Sequence, residues 1–122
     1  MIVTDPRQLI ASWSEDLAAT YLQDQGLTIL ERNVRYKVGE LDIVAKDNAT
    51  LVFVEVRART DPNQVHPAAT VTKAKQRRVI KAAMAYCQDH QITDTVIRFD
   101  VVAVLGPDGQ LEHYPNAFEA YR

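Results

Sequence analysis

Two neighbouring apolar runs, each carrying charge at alternate positions, constrain this chain more than any other feature. The first is Gly39-Glu40-Leu41-Asp42-Ile43-Val44-Ala45, the second Leu51-Val52-Phe53-Val54-Glu55-Val56-Arg57-Ala58-Arg59. Strand side chains alternate with a period of two. Glu40 and Asp42 therefore share a face, as do Glu55 and Arg57, while Leu41, Ile43, Val54 and Val56 suit a buried opposite face. Only Lys46 to Thr50 separates the runs, and Asp47 and Asn48 are turn formers. A hairpin is expected. If it aligns the charged faces, several carboxylates and one guanidinium converge. Carboxylate oxygens are the ligands Mg²⁺ prefers, and an adjacent cation suits a phosphate.

The rest of the chain frames this hairpin. A first helix is expected from about Arg7 to Gln25, capped by Thr4 or Asp5, with Pro6 at its first position and Gly26 as its stop. Leu9, Ile10, Trp13, Leu17 and Tyr21 give it an apolar stripe. A strand follows at Thr28 to Tyr36, with Ile29, Leu30 and Val34 as core candidates, and Lys37-Val38-Gly39 turns into the hairpin. Asp61 to Ala69 reads as a loop. Thr70 or Thr72 caps a second helix running to about Asp89. Val96 to Leu105 reads as a strand buried on both faces. Gly106-Pro107-Asp108-Gly109 is a turn, and Gln110 to Tyr114 pairs back as a short last strand. The order is α-β-β-β-α-β plus a terminal hairpin strand. It predicts an α/β fold with a mixed central sheet flanked by helices, whose β-α-β crossover is parallel and right-handed.

A chain of 122 residues suits one domain spanning residues 1–122, with one real core. The single cysteine, Cys87, excludes an internal disulfide and a cysteine zinc site. Asp5, Pro6 and Arg7 stand where a secretory signal needs an apolar core, and no run reaches membrane-span length. The expected location is cytoplasmic. A net charge of −2 argues against a tight, nonspecific nucleic-acid binder. The distribution is uneven, however. Arg57, Arg59, Lys73, Lys75, Arg77, Arg78 and Lys81 face only Asp61 across that stretch, which permits a local phosphate-binding surface. A solvated helix face is the plain alternative.

Asp42 and Glu55 stand out because each interrupts an apolar strand, where a carboxylate is costly without a partner or metal. A structural ion pair of Glu55 with Arg57 or a helix lysine is the competing explanation. Glu40 and Arg59 read as surface charges. Glu15 shares a helical row with Ala11, Ala18 and Leu22 that borders the apolar stripe. On the second helix, Gln76 falls in a core-facing row with Val79, Ala83 and Cys87, so it needs a phosphate, a water, a carboxylate or a backbone edge as partner. Lys73, Arg77 and Lys81 form a neighbouring cationic row at spacing four, a candidate contact to nucleic-acid phosphates. Glycine-loop motifs are absent, and His66, His90 and His113 lack ligand spacing.

The chain resembles the YraN-like proteins, an uncharacterised bacterial family placed in the PD-(D/E)xK nuclease superfamily. The resemblance rests on Glu15 in a first helix ending at Gly26, Arg32-Asn33-Val34-Arg35, Gly39-Glu40-Leu41-Asp42-Ile43-Val44, Val52-Phe53-Val54-Glu55-Val56-Arg57, Arg98-Phe99-Asp100-Val101-Val102 and Asn116-Ala117-Phe118. It implies a restriction-endonuclease-like core and hydrolysis of phosphodiester bonds with Mg²⁺ or Mn²⁺. Asp42 and Glu55 then stand at the metal-binding acidic positions, with the Val56 carbonyl as a third ligand. Glu15 and Gln76 look like the helix glutamate and glutamine that some members add. The pattern has lysine where this chain has Arg57. Arginine holds phosphate well but stays protonated, so Lys73 is the candidate to supply a missing lysine.

The resulting expectation is a metal-dependent nuclease acting on DNA, branched or structured DNA included. Asp42, Glu55, Arg57, Glu15 and Gln76 form its site, and Lys73, Arg77 and Lys81 its nucleic-acid surface. No membrane is involved, and a homodimer is allowed. The rival is a catalytically inactive nuclease-fold module that binds nucleic acid or a protein.

Overall fold

Helix α1 (Pro6–Asp24) precedes strands β1 (Thr28–Tyr36), β2 (Gly39–Asp47) and β3 (Thr50–Arg59), then helix α2 (Lys73–Asp89) and strands β4 (Ile97–Leu105) and β5 (Gln110–Phe118). This computed structural model describes residues 5–59, 71–106 and 108–120, apart from the Arg59 side chain. Thr4 and Thr70 as caps, the loop from Asp61 to Ala69 with His66, Pro107 in its turn and the Arg59 surface reading lie outside the described residues. The α-β-β-β-α-β core has the expected order, and the last strand is longer than the sequence suggests.

The five strands form one mixed sheet in the order β1-β2-β3-β4-β5. β1, β2 and β3 pair antiparallel, β3 and β4 pair parallel, and β5 returns antiparallel on β4. The parallel step needs a crossover, which α2 supplies. Local signals set the boundaries. Asp5 caps α1 by accepting from Arg7 N at 2.9 Å, and Thr72 caps α2 by accepting from Lys75 N at 3.1 Å. Asn48 turns the β2–β3 hairpin with a φ of 54°, in a region that asparagine tolerates.

Two cores lie on opposite faces of the sheet. On one, Val79, Ala82, Ala83 and Tyr86 of α2 cover Val44, Leu51, Phe53, Phe99 and Val101. On the other, Ala18, Ala19 and Leu22 of α1 cover Ile43, Ala45, Val52, Val54 and Val102. Burial of β4 on both sides follows from this sandwich, with Phe99 to Val104 all buried.

Two expectations are corrected. The apolar stripe of α1 is not its buried face. Ser14, Ala18, Ala19 and Leu22 face the sheet, whereas Leu9, Ile10 and Trp13 are exposed. Small side chains let the helix axis approach the strands, and the bulky row slides to the flank. There Trp13 and Leu17 close over Gly109, where an added Cβ would lie 3.3 Å and 3.0 Å from them. The row containing Ala11, Glu15, Ala18 and Leu22 thus leans toward the sheet more than sequence periodicity indicates. The second correction concerns Leu41, which joins the α2-side core while Ile43 joins the α1-side core. Strand alternation breaks at Asp42. Across from it, between the pairs Arg32↔Ile43 and Val34↔Leu41, stands Asn33 with a φ of 55°. A left-handed residue bends its strand and raises the local twist. Leu30 is also exposed, while Ile29 and Val34 are half-buried.

Candidate functional site

The β2–β3 ladder ends at the pair Ile43↔Val54. One step beyond, the strands carry Asp42 and Glu55 across from each other. Asp42 Oδ2 accepts the backbone N–H of Val56 at 2.9 Å, so a side chain takes the place of the next ladder carbonyl. Glu55 is 4% exposed. The two carboxyl groups lie close enough that the charge of Asp42 acts directly on Glu55.

Electrostatics follow from this crowding. Burial, then the Asp42 charge, pushes Glu55 up to about 8, against the opposing pull of Lys75 and Arg57. Burial also raises Asp42, although the Val56 amide works the other way. Lys75 Nζ lies 3.5 Å from Glu55 Oε1 and Arg57 Nη1 3.9 Å from the same oxygen. The helix lysine beside Glu55 is therefore Lys75, not Lys73. Two residues apart, these lysines project about 200° from one another around α2. Lys75 stands outside the spacing-four cationic row of Lys73, Arg77 and Lys81. Its position four residues before the buried Val79 was the signal available.

A cleft of about 250 Å³ opens over this pair, lined by Arg7, Ile10, Ala11, Ser14 and Glu15 of α1 and by Asp42, Glu55, Val56 and Ala58. Burial, then the charge of Asp42, raises Glu15. Among the described residues, the buried side-chain atoms without a hydrogen-bond partner are Ser14 Oγ, Glu15 Oε1 and Arg57 Nε. Orphaned buried polar atoms are costly, and here all three belong to the cleft wall or to the arginine beside Glu55. Glu40 is turned aside, 3.5 Å from Arg35 Nε.

Gln76 is not part of this cleft wall. Its Nε2 donates to the Val71 carbonyl at 2.9 Å, the backbone-edge alternative. It instead lines a second cleft, of about 300 Å³, with Lys73, Arg77, Ile80 and Lys81. The cationic row is exposed as expected, but it does not adjoin the carboxylate pair.

No set of three or more His, Cys, Asp or Glu side chains among the described residues is arranged to hold a metal ion, so Glu15 does not complete a three-carboxylate cage. Mg²⁺ asks for less: one or two carboxylates, with waters filling the remaining positions. Asp42 and Glu55, beside orphaned oxygens of Ser14 and Glu15, fit that donor set.

Sequence reasoning gave no role to a second polar cluster. Asp100 is 0% exposed. It accepts from Arg98 Nε and Nη2 at 2.8 and 3.1 Å, from the Asn116 amide at 3.0 Å, and pairs with His113 Nε2 at 2.8 Å. Tyr21 of α1 reaches His113 Nδ1 at 3.3 Å, and Arg98 reaches Asp47 at 3.2 Å. Burial would raise Asp100, but these partners outweigh it and hold the carboxyl below the usual range. Saturated on all sides, the cluster ties β4 to β5, α1 and the β2 end.

The model of the uncharacterised protein family UPF0102 matches residues 14–104, from the cleft serine to the last residue but one of β4. The chain belongs to that family. UPF0102 proteins similar to it include one from Syntrophotalea carbinolica, 43% identical over 96% of this chain and 97% of its own. Another, from Geobacter metallireducens, is 46% identical over 90% and 92%. A third, from Herminiimonas arsenicoxydans, is 49% identical over 80% and 78%. The YraN-like resemblance drawn from the motifs agrees with this membership. Among the described residues no helix is long and apolar enough to cross a membrane.

Proposed function

We propose that this UPF0102 protein is a metal-dependent endonuclease that hydrolyses phosphodiester bonds in DNA, branched or structured DNA included. One observation carries the reading: Asp42 and Glu55 stand opposed one step past the end of their ladder, under an open cleft. Two like charges forced together are unfavourable unless a proton or a cation joins them. Mg²⁺ or Mn²⁺ would be held by Asp42 and Glu55, with the Val56 carbonyl as a further ligand. When bound, such an ion supplies an activated water and neutralises phosphate charge.

The chain's own groups do the rest. The Val56 amide fixes the Asp42 carboxylate in place. Arg57 and Lys75 put positive charge beside Glu55, where it stabilises the charge that develops on a phosphate under attack. Glu15 orients water from the opposite wall. Gln76 acts at a distance, holding the Val71 carbonyl next to the α2 N-terminus that presents Lys75. Lys73, Arg77 and Lys81 contact the DNA backbone away from the reacting bond.

The cations beside Glu55 also favour a second reading, a nuclease-fold module that binds nucleic acid or a protein without turnover. The deciding experiment incubates purified protein with linear, flapped and four-way DNA and with RNA, in Mg²⁺ and in Mn²⁺. Cleavage of at least one DNA that is lost in Asp42→Ala supports the enzyme. Binding without cleavage in either metal supports the module.

A further inference from the structure

Ser14 carries a buried hydroxyl that no described residue bonds. It is 1% exposed, lines the carboxylate cleft, and its Oγ has no partner among the described residues. A helical serine ordinarily bonds the carbonyl one turn back. Next to it, Glu15 Oε1 is equally orphaned, with Arg32 Nη2 at 4.0 Å, beyond hydrogen-bonding distance. Buried polar groups of this kind are satisfied by ordered water when the site is polar and roomy. The cleft of about 250 Å³ has the room.

From this geometry we infer that Ser14 Oγ and Glu15 Oε1 together hold one ordered water against the Asp42–Glu55 pair, and that this water belongs to the hydration shell of a divalent cation bound there. The inference rests on the metal-site reading above and adds Ser14 to it as a positioning residue. Hydroxyl and carboxylate have complementary tasks: the carboxylate oxygen only accepts, while the hydroxyl both donates and accepts. Together they fix a water's position and its orientation. Small hexahydrated cations such as Mg²⁺ keep several waters, and outer groups that hold such waters affect metal affinity by about 10–100-fold.

The test is Mn²⁺ binding to the full chain by calorimetry, with melting of the metal-free proteins alongside. Wild type, Ser14→Ala, Glu15→Gln and the double variant are compared. Ser14→Ala is expected to weaken Mn²⁺ about 10-fold while melting at or above the wild-type temperature, because it deletes an orphaned polar group. A purely structural serine would do the reverse. The double variant is expected to bind about as weakly as the weaker single variant, since both residues hold the same water. Unchanged Mn²⁺ affinity in Ser14→Ala, or fully additive losses in the double variant, overturns the shared water and leaves the metal site standing. Absence of Mn²⁺ binding to wild type overturns the metal site and the water with it.

Discussion

The Val56 amide donates to the Asp42 carboxylate at 2.9 Å and so ends the β2–β3 ladder with a side chain in place of a carbonyl. The consequence is that Asp42 is held at the sheet, next to Glu55, and cannot swing out to water. The pair must carry a proton, bind a cation, or bear mutual repulsion. Behaviour in pH, in metal and under mutation follows from that constraint.

In metal-free protein Glu55 binds its proton more tightly folded than unfolded, with a folded value of about 8 against 4.5. The sign is then set: its contribution to stability is full below about 4.5 and is lost as pH rises through about 8. Glu55→Gln cannot ionise, so in EDTA it is expected to gain stability over wild type from pH 5 to pH 9. Urea unfolding at both pH values measures this. A difference between the two proteins that does not change with pH refutes the assignment.

Asp100 carries a buried charge held by four hydrogen bonds from three groups, Arg98, His113 and the Asn116 amide. Asp100→Asn leaves Arg98 with Asp47 as its remaining carboxylate and takes the buried acceptor from His113 and the Asn116 amide, and the expected loss is about 3–5 kcal/mol. Asp16, largely exposed and paired with Arg32 at 2.7 Å, is the matched control. Asp16→Asn should cost less than about 1 kcal/mol. Urea midpoints compare them, and equal losses would show that the Asp100 cluster does not hold the fold.

Gly39 opens β2 against the backbone of α2. A Cβ there would lie 2.4 Å from the Arg78 carbonyl oxygen, and neither backbone can yield as a side chain can. Gly39→Ala is expected to lose about 1–3 kcal/mol, read from thermal or urea unfolding. A neutral substitution would mean that the hairpin and α2 separate easily.

Lys73, Arg77 and Lys81 lie along an exposed face of α2. Three phosphate contacts give a slope of roughly −2 to −3 in log affinity against log salt. Replacing all three with glutamine should flatten that slope, weaken binding to all sequences about equally and leave the melting temperature in place. Fluorescence anisotropy over a salt series provides the readout. An unaltered slope would reduce the row to solvated surface.

Much of the fold was legible in the order of residues. Period-two runs, Asp47-Asn48, Thr72 and the glycine turns are local signals, and locally encoded elements came out within a few residues. Asp42 and Glu55 were legible for a related reason: in a tight antiparallel hairpin, sequence spacing sets which residues oppose. Long-range packing was not legible in the same way. The α1 face was misread because hydrophobicity ranks Leu9 and Trp13 above Ser14 and Ala18, whereas close helix–sheet approach selects for small size. Lys75 over Lys73, Ser14 in the cleft wall and the Asp100–His113–Tyr21 cluster all depend on how distant elements meet. Two residues' difference on α2 rotates a side chain from sheet to solvent, and that rotation is set by the crossover and the core, far from the residues it places.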